Sequence, residues 1–341
     1  MDEPADARPY AELTPHAVLD ALALAGLHGD GRLLQLNSYE NRVFQAHLED
    51  GSAVVAKFYR PGRWSDAQIL EEHAFALELA AAEVPAVAPL LLEPLHADPA
   101  LELLGSPATL GRVGRLRFAV APRRAGRAPE LDDPETLEWI GRFIGRLHTV
   151  GGARAFAHRR RIDADTLGWR PREWLLAHDT VSASLRERWA RVSQRALELS
   201  AQALAAVDGL AALRLHGDCH PGNLLWTPQG PHFVDLDDAA TGPAIQDLWM
   251  LLPGDAASTH GALECLLEGY QTFRAFDRRE LALIEPLRTL RMVHHSAWLA
   301  ERWSDPAFPA AFGWFGTEAY WSEQITQLQS QVEAIEQGDA G

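Results

Sequence analysis

Residues 213–238 read LRLHGDCHPGNLLWTPQGPHFVDLDD, and the spacing of three side chains within them decides the fold. An acid stands at Asp218, an amide five residues on at Asn223, and a second acid at Asp235 after the apolar pair Phe233 and Val234. With His216 ahead of Asp218 this is the order H-x-D-x-x-x-x-N followed by an acid at a strand end. In phosphoryl transfer the first acid takes the proton of the attacking hydroxyl, and the amide and second acid hold Mg²⁺ on the triphosphate. The stretch points to an ATP-dependent phosphotransferase. Its fold is expected to be α+β and bilobal, like a protein kinase: an N-terminal antiparallel sheet with one main helix, then a larger, mainly helical lobe.

Composition fits that expectation and excludes others. The chain has 341 residues, 47% of them hydrophobic, enough to fill two lobes. A net charge of −16 argues against a nucleic-acid partner, because phosphate backbones attract clustered cations and would be repelled here. No apolar run reaches the roughly 18 residues needed to span a bilayer, and no membrane partner is expected. The opening MDEPADARPY lacks the order of a signal peptide. Two cysteines, Cys219 and Cys265, are too few for a disulfide framework. A cytoplasmic setting follows. Cys219, beside the candidate acid, reads as a space-filling residue, with a redox-sensitive thiol as the alternative.

Of 31 basic residues only Lys57 is a lysine. A chain that uses arginine elsewhere has kept lysine where a planar guanidinium does not fit. Lys57 ends the third of three strand-like runs, 32–37, 42–48 and 52–58, the last two joined by a Glu49-Asp50-Gly51 turn. Its setting, VVAKF, matches the strand lysine that meets the α- and β-phosphates. Between the first two runs lies Asn37-Ser38-Tyr39-Glu40-Asn41, without glycines. It is either a phosphate-contacting loop, with Ser38 supplying a hydroxyl, or a plain hairpin turn.

Ahead of the strands, Thr14 and Pro15 open a short helix that ends at Gly26. Residues 66–82 form a helix with Ile69, Glu72, Ala76 and Leu79 on one face. A carboxylate there needs a partner, and Glu72 is the first choice for Lys57, with Glu71 next. Further strands are expected at 88–92 and 116–121, separated by a solvated insertion at 94–115. The first lobe runs over 1–121, a hinge over 122–129, and the second lobe over 130–341, with Val120 and Pro122 placed to receive the adenine ring. Asp133 and Pro134 start a helix through Leu147, and 182–207 forms another. The basic run 154–161 reads as a solvated loop, with steering of an acidic substrate as the alternative, and the His294-His295 pair as packing or cleft wall. His216 buttresses the 216–223 loop, and Asp247, near a helix start, supports it by accepting backbone N–H bonds.

At these residues the chain resembles the bacterial stress response kinase A family, in the aminoglycoside/choline-kinase-like branch of the protein-kinase fold. The matching motifs are LNSYENRVFQ (36–45), VAKFYRPGRW (55–64), ILEEHAFAL (69–77), LRLHGDCHPGN (213–223) and FVDLDDAATGPAIQDLWMLL (233–252), extended by IEPLR (284–288) and RWSDPAFP (302–309). The resemblance implies a monomeric, cytoplasmic, Mg²⁺- and ATP-dependent serine/threonine protein kinase connected with stress survival. It implies Asp218 as proton acceptor, Asn223 and Asp235 as metal ligands and Ser38 in the ATP site. Only residues 239–246 separate the DLDD acids from Asp247, too few for a long activation loop. A small-molecule kinase of the amino-alcohol, choline or aminoglycoside type is the alternative. A catalytically dead nucleotide-binding scaffold is disfavoured, since no expected catalytic residue is missing.

Overall fold

The computed structural model describes residues 9–207, 209–252 and 256–338. Thr14 caps helix α1 (Pro15–Leu24), its hydroxyl accepting the Ala17 N–H at 3.1 Å. Strands β1 (Gly29–Leu36), β2 (Arg42–Leu48) and β3 (Ala53–Phe58) follow, β2 and β3 joined by a tight turn in which Gly51 takes φ +86°. Ser65 and Gln68 form a reciprocal capping box at the start of α2 (Asp66–Ala81). Strands β4 (Leu101–Leu104), β5 (Leu110–Val113) and β6 (Leu116–Pro122) complete a six-stranded sheet in the order β1-β2-β3-β6-β5-β4, every pairing antiparallel.

Two expectations fail in this region. Residues 94–115 are not a solvated insertion, because β4 and β5 extend the sheet as a hairpin, with Thr109 and Leu110 buried. Four-residue strands carry too little alternation to be read against a Gly- and Pro-rich background. Residues 88–92 form no strand. Pro89 has no N–H for a ladder, and the segment instead donates single bonds, Leu90 N–H to the Val120 carbonyl at 2.7 Å and Leu92 N–H to Ala108 at 2.9 Å.

The remaining chain is mostly helical. Its elements are α3 (Pro134–Gly151), α4 (Arg170–Ala177), α5 (Arg186–Ala206), β7 (Leu213–Leu215), β8 (Leu224–Thr227), β9 (Gly230–Phe233), β10 (Ala240–Gly242), α6 (Gln246–Trp249), α7 (Ala256–Gln271), α8 (Ile284–Glu301), α9 (Ala307–Ala311) and α10 (Glu318–Gly338). The helix expected over 182–207 starts only at Arg186, after a loop from Ser182. Helices α3 and α7 approach to backbone contact at glycines: a Cβ on Gly141 would lie 2.1 Å from the Leu266 carbonyl oxygen, and one on Gly269 would lie 1.9 Å from that of Glu138. Helices α5 and α10 meet through buried Trp189 and Trp321, edge to face at 5.7 Å. The buried face of α2 is shared. Ile69 packs with Leu110 and Ala119 of the sheet, whereas Phe75, Ala76 and Leu79 join the core of the helical part. No helix among the described residues is long and apolar enough to cross a membrane.

Candidate active site

A cleft of about 950 Å³ opens where the sheet faces the 216–238 segment, and it brings together Ser38, Lys57, Glu72, Val120, Pro122, Asp218, Asn223 and Asp235. The floor is built from β7 outward. All three residues of β7 are buried, and β10 pairs with it, Leu215 opposite Ala240. The chain then turns at Gly217, φ +83°, where a Cβ would lie 2.2 Å from the Asp238 carbonyl oxygen, so only glycine fits. Asp247 holds this turn. Its carboxylate accepts the N–H groups of His216 and Gly217, each at 2.8 Å, and faces His148 Nε2 at 3.0 Å. Burial pushes that carboxyl up, but hydrogen bonds from His148 and Gly217 bring it below the usual carboxylate range. Gln246 adds a bond from Nε2 to the Gly217 carbonyl at 3.1 Å.

His216 joins the loop to the strand that ends at Asp235. Its Nε2 lies 2.9 Å from the Val234 carbonyl, and its Nδ1 accepts the Asp218 N–H at 3.4 Å, which together assign the proton to Nε2. The β8–β9 register sets Leu224 opposite Phe233, and the Val234 N–H reaches the Asn223 carbonyl at 3.0 Å. Asn223 is thereby brought beside Asp235. The Asn223 amide N–H donates to the Asp218 carbonyl at 2.9 Å, leaving Oδ1 without a donor among the described residues. Asp235 adopts φ 60° and ψ 61°, a left-handed conformation uncommon outside glycine, and its side chain stays 47% exposed. Among the described residues no cluster of three or more His, Cys, Asp or Glu forms a metal site. Two hard oxygen donors, Asn223 Oδ1 and the Asp235 carboxylate, nevertheless suit Mg²⁺, which keeps waters and shares substrate phosphates instead of filling an all-protein cage.

Lys57 does not pair with Glu72. From β3, held between Val43 and Ala119, its ammonium donates to Asp235 Oδ1 at 2.6 Å and lies 4.0 Å from Asp237. Burial disfavours its charge, yet Asp235 and Asp237 hold its pKa well above the ordinary value. Glu72 is buried in the same cleft wall, and burial pushes its carboxyl up to about 7 despite the Lys57 charge. The pairing rule failed because two carboxylates of the 213–238 segment, exposed Asp235 and buried Asp237, reach the same ammonium. Glu71 is not the partner either, since it accepts the N–H groups of Ala157, His158 and Arg159 at 2.5–2.8 Å.

Sequence reading missed the arginines. Arg63 pairs with both Asp237 and Asp238, and Arg160 reaches Asp238 at 2.9 Å. Arg159, 5% exposed, donates to the Ala239 carbonyl at 2.8 Å and to that of Asp237. The run 154–161 is therefore no simple solvated loop. The signal was present: two further acids in DLDD needed cations, and Arg63 stands in the VAKFYRPGRW motif. Arg291 of α8 was also missed. Its Nη1 donates to Asp218 Oδ1 at 2.6 Å, and His220 Nε2 lies 3.5 Å from Asp218 Oδ2.

The loop 37–41 is more than a hairpin turn. Glu40 accepts from Arg302 Nε at 2.6 Å, Tyr39 packs edge-on against Phe312 at 4.7 Å, and Asn41 Nδ2 donates to Asp237 at 3.1 Å. Ser38 lies half-buried on the cleft wall between them. Val120 spends its carbonyl on Leu90, and Pro122 has no N–H, so Val120 and Pro122 offer the cleft mainly apolar surface. Cys219 is fully buried, and burial pushes its thiol up, as expected of a space-filling residue.

An antiparallel sheet facing an Asp-Asn-Asp loop across a cleft, with a lysine projecting from the third strand, defines a phosphotransferase of the kinase-like type. Residues 32–284 match the model of the phosphotransferase enzyme family. Stress response kinase A of Escherichia coli (strain K12) is 42% identical over 96% of this chain and 95% of its own length. The serine/threonine protein kinase RdoA of Salmonella typhimurium is 43% identical over 96% and 94%. Among solved structures, amicoumacin kinase hAmiN with AMP-PNP, Ca²⁺ and Ami superposes with a TM-score of 0.69 at 20% identity, over 94% of this chain and 93% of that one. A microcompartment-associated aminopropanol kinase gives 0.64 at 16%, over 94% and 96%. The chain belongs to the stress response kinase A family, within the phosphotransferase enzymes.

Proposed function

We propose that this chain is a Mg²⁺- and ATP-dependent serine/threonine protein kinase. The observation that carries the reading is the meeting of Lys57, Asn223, Asp235 and Asp218 in one cleft. Lys57 compensates charge on the α- and β-phosphates, and Glu72 lines the cleft wall near it. Asn223 and Asp235 would hold the metal, which when bound supplies further charge compensation to the triphosphate. Asp218 orients the acceptor hydroxyl and takes its proton, and His216 and Asp247 keep it in position. Ser38 contacts phosphate, and Val120 and Pro122 border the adenine. On this reading residues 1–121 form the nucleotide lobe, 122–129 the hinge and 130–341 the catalytic lobe. The protein is a cytoplasmic monomer of stress physiology whose partners are ATP and a Ser/Thr-bearing protein.

Support for a protein acceptor comes from relatives at 42–43% identity, one of them named a serine/threonine protein kinase. One observation favours the second reading, a small-molecule kinase. Strand β10 begins at Ala240 and α6 at Gln246, leaving no room for a long activation loop. A side-by-side screen with labelled ATP and Mg²⁺ decides. Ser/Thr label on protein acceptors, lost in Asp218→Ala, supports the protein-kinase reading; turnover confined to small alcohols overturns it.

A further inference from the structure

The acceptor end of the cleft carries its own charge pattern. Arg291 donates one N–H to Asp218 Oδ1 at 2.6 Å, and its other N–H groups have no acceptor among the described residues. Its side chain is 41% exposed and lines the cleft. Behind it on α8 stand His294 and His295, both on the cleft wall. Burial first, and then the arginines nearby, push their rings down to about 3 and about 4, so both are neutral at pH 7. Arg160 completes the wall, its Nη1 lying 3.3 Å from His294 Nε2. The nearby acids Asp238 and Glu40 are already bonded to Arg63 and Arg160, and to Arg302. In a chain of net charge −16, this is a place where an arginine with open donors faces the cleft.

We propose that Arg291 is a specificity residue that selects an acceptor whose hydroxyl lies next to a carboxylate or phosphate. This rests on the kinase reading above. With Arg291 bonded to Asp218 Oδ1, one of the two carboxylate oxygens faces the guanidinium instead of the acceptor hydroxyl. An anionic group beside the hydroxyl gives the guanidinium a bidentate partner and draws it off. Both oxygens of Asp218 are then open to the acceptor hydroxyl. The acceptor oxygen bonds to the γ-phosphorus as the bond to the β–γ bridging oxygen breaks, ADP leaves, and the hydroxyl proton passes to Asp218. A cationic acceptor meets Arg291 still in place and is repelled.

The test compares the full-length wild type, Arg291→Gln and Arg291→Lys on matched acceptors. These are Ser peptides flanked by Asp or by Lys, and small alcohols bearing a carboxylate or an ammonium. Expected for the wild type is a kcat/KM ratio of tenfold or more for acidic over basic acceptors. Arg291→Gln should bring that ratio close to one without raising KM for ATP, and Arg291→Lys should restore part of it. A wild-type preference for basic acceptors, or an acidic preference unchanged in Arg291→Gln, overturns the proposal. So does a rise in KM for ATP with the preference intact, which would assign Arg291 to the nucleotide. If only small alcohols turn over, the protein-kinase reading fails, while preference for the carboxylate-bearing alcohol still supports the role of Arg291.

Discussion

The cleft has two ends, and each pairs one cation with one acid of the central segment. At the end proposed for the phosphates Lys57 is half-buried within a strand and bonded to Asp235. At the end proposed for the acceptor Arg291 is half-exposed on a helix and bonded to Asp218. Strand register leaves Lys57 little freedom, because Val43 and Ala119 flank it on both sides. Arg291 rides on α8 with a long side chain and open donors, so it can move. The difference separates a fixed electrostatic element, suited to a donor common to all kinases, from an adjustable one, suited to discriminating acceptors.

Asp218→Asn should cut deepest, and on one side only. Loss of the proposed proton acceptor should lower kcat by roughly 10²–10⁴-fold, with nucleotide affinity by titration little changed. An affinity that collapsed along with the rate would merge the two ends into one. Asp247→Ala removes a buried anion from His148 and two N–H groups, costing roughly 3–5 kcal/mol in urea unfolding. The carboxyl of Asp247 sits below the usual range, so its stabilisation is full above about pH 4 and is lost as pH falls through its folded value. Lys57→Arg tests the phosphate end. A planar guanidinium in that strand site should lower kcat/KM for ATP by roughly 10²–10³-fold and leave acceptor preference alone. A variant that turned over normally would end the claim that lysine is required there.

The smallest expected effect lies between the ends. The Glu72 carboxyl stands at about 7 in the folded chain against an ordinary 4.5. Across that window the unfolded chain has released its proton and the folded one has not, so stability falls as pH rises from about 4.5 to 7 and then levels. Glu72→Gln should remove that slope and add about 3 kcal/mol at pH 8, with wild type and variant converging near pH 4. A slope that survives the substitution belongs to another group.

Much of this was legible without coordinates because the signals were local. Thr14 and Asp133 cap the helices expected of them, and β2 spans 42–48 as its alternation requires. The candidate site is local in the same sense around 216–235, where a turn and a hairpin bring Asp218, Asn223 and Asp235 together. Illegible parts involve partners far apart in the chain. Arg63 meets Asp237, and Glu40 meets Arg302, with no periodicity relating them. The hairpin of β4 and β5 was hidden for another reason, since pairing with β6 makes those short segments strands.

For the central segment, sequence pointed to phosphoryl transfer through the order of a strand lysine, a helix glutamate, the Asp-Asn loop and an acid at a strand end, and the chain does belong to the phosphotransferase enzymes. It also singled out Lys57, through the absence of any other lysine. Only the tertiary structure decided which charges meet. Lys57 turned to Asp235 instead of Glu72, and Asp218 received an arginine from a helix more than seventy residues away. The physical reason is that residue type and local spacing set what a side chain can do, whereas ion pairing depends on distance and burial across the cleft, which local spacing does not encode.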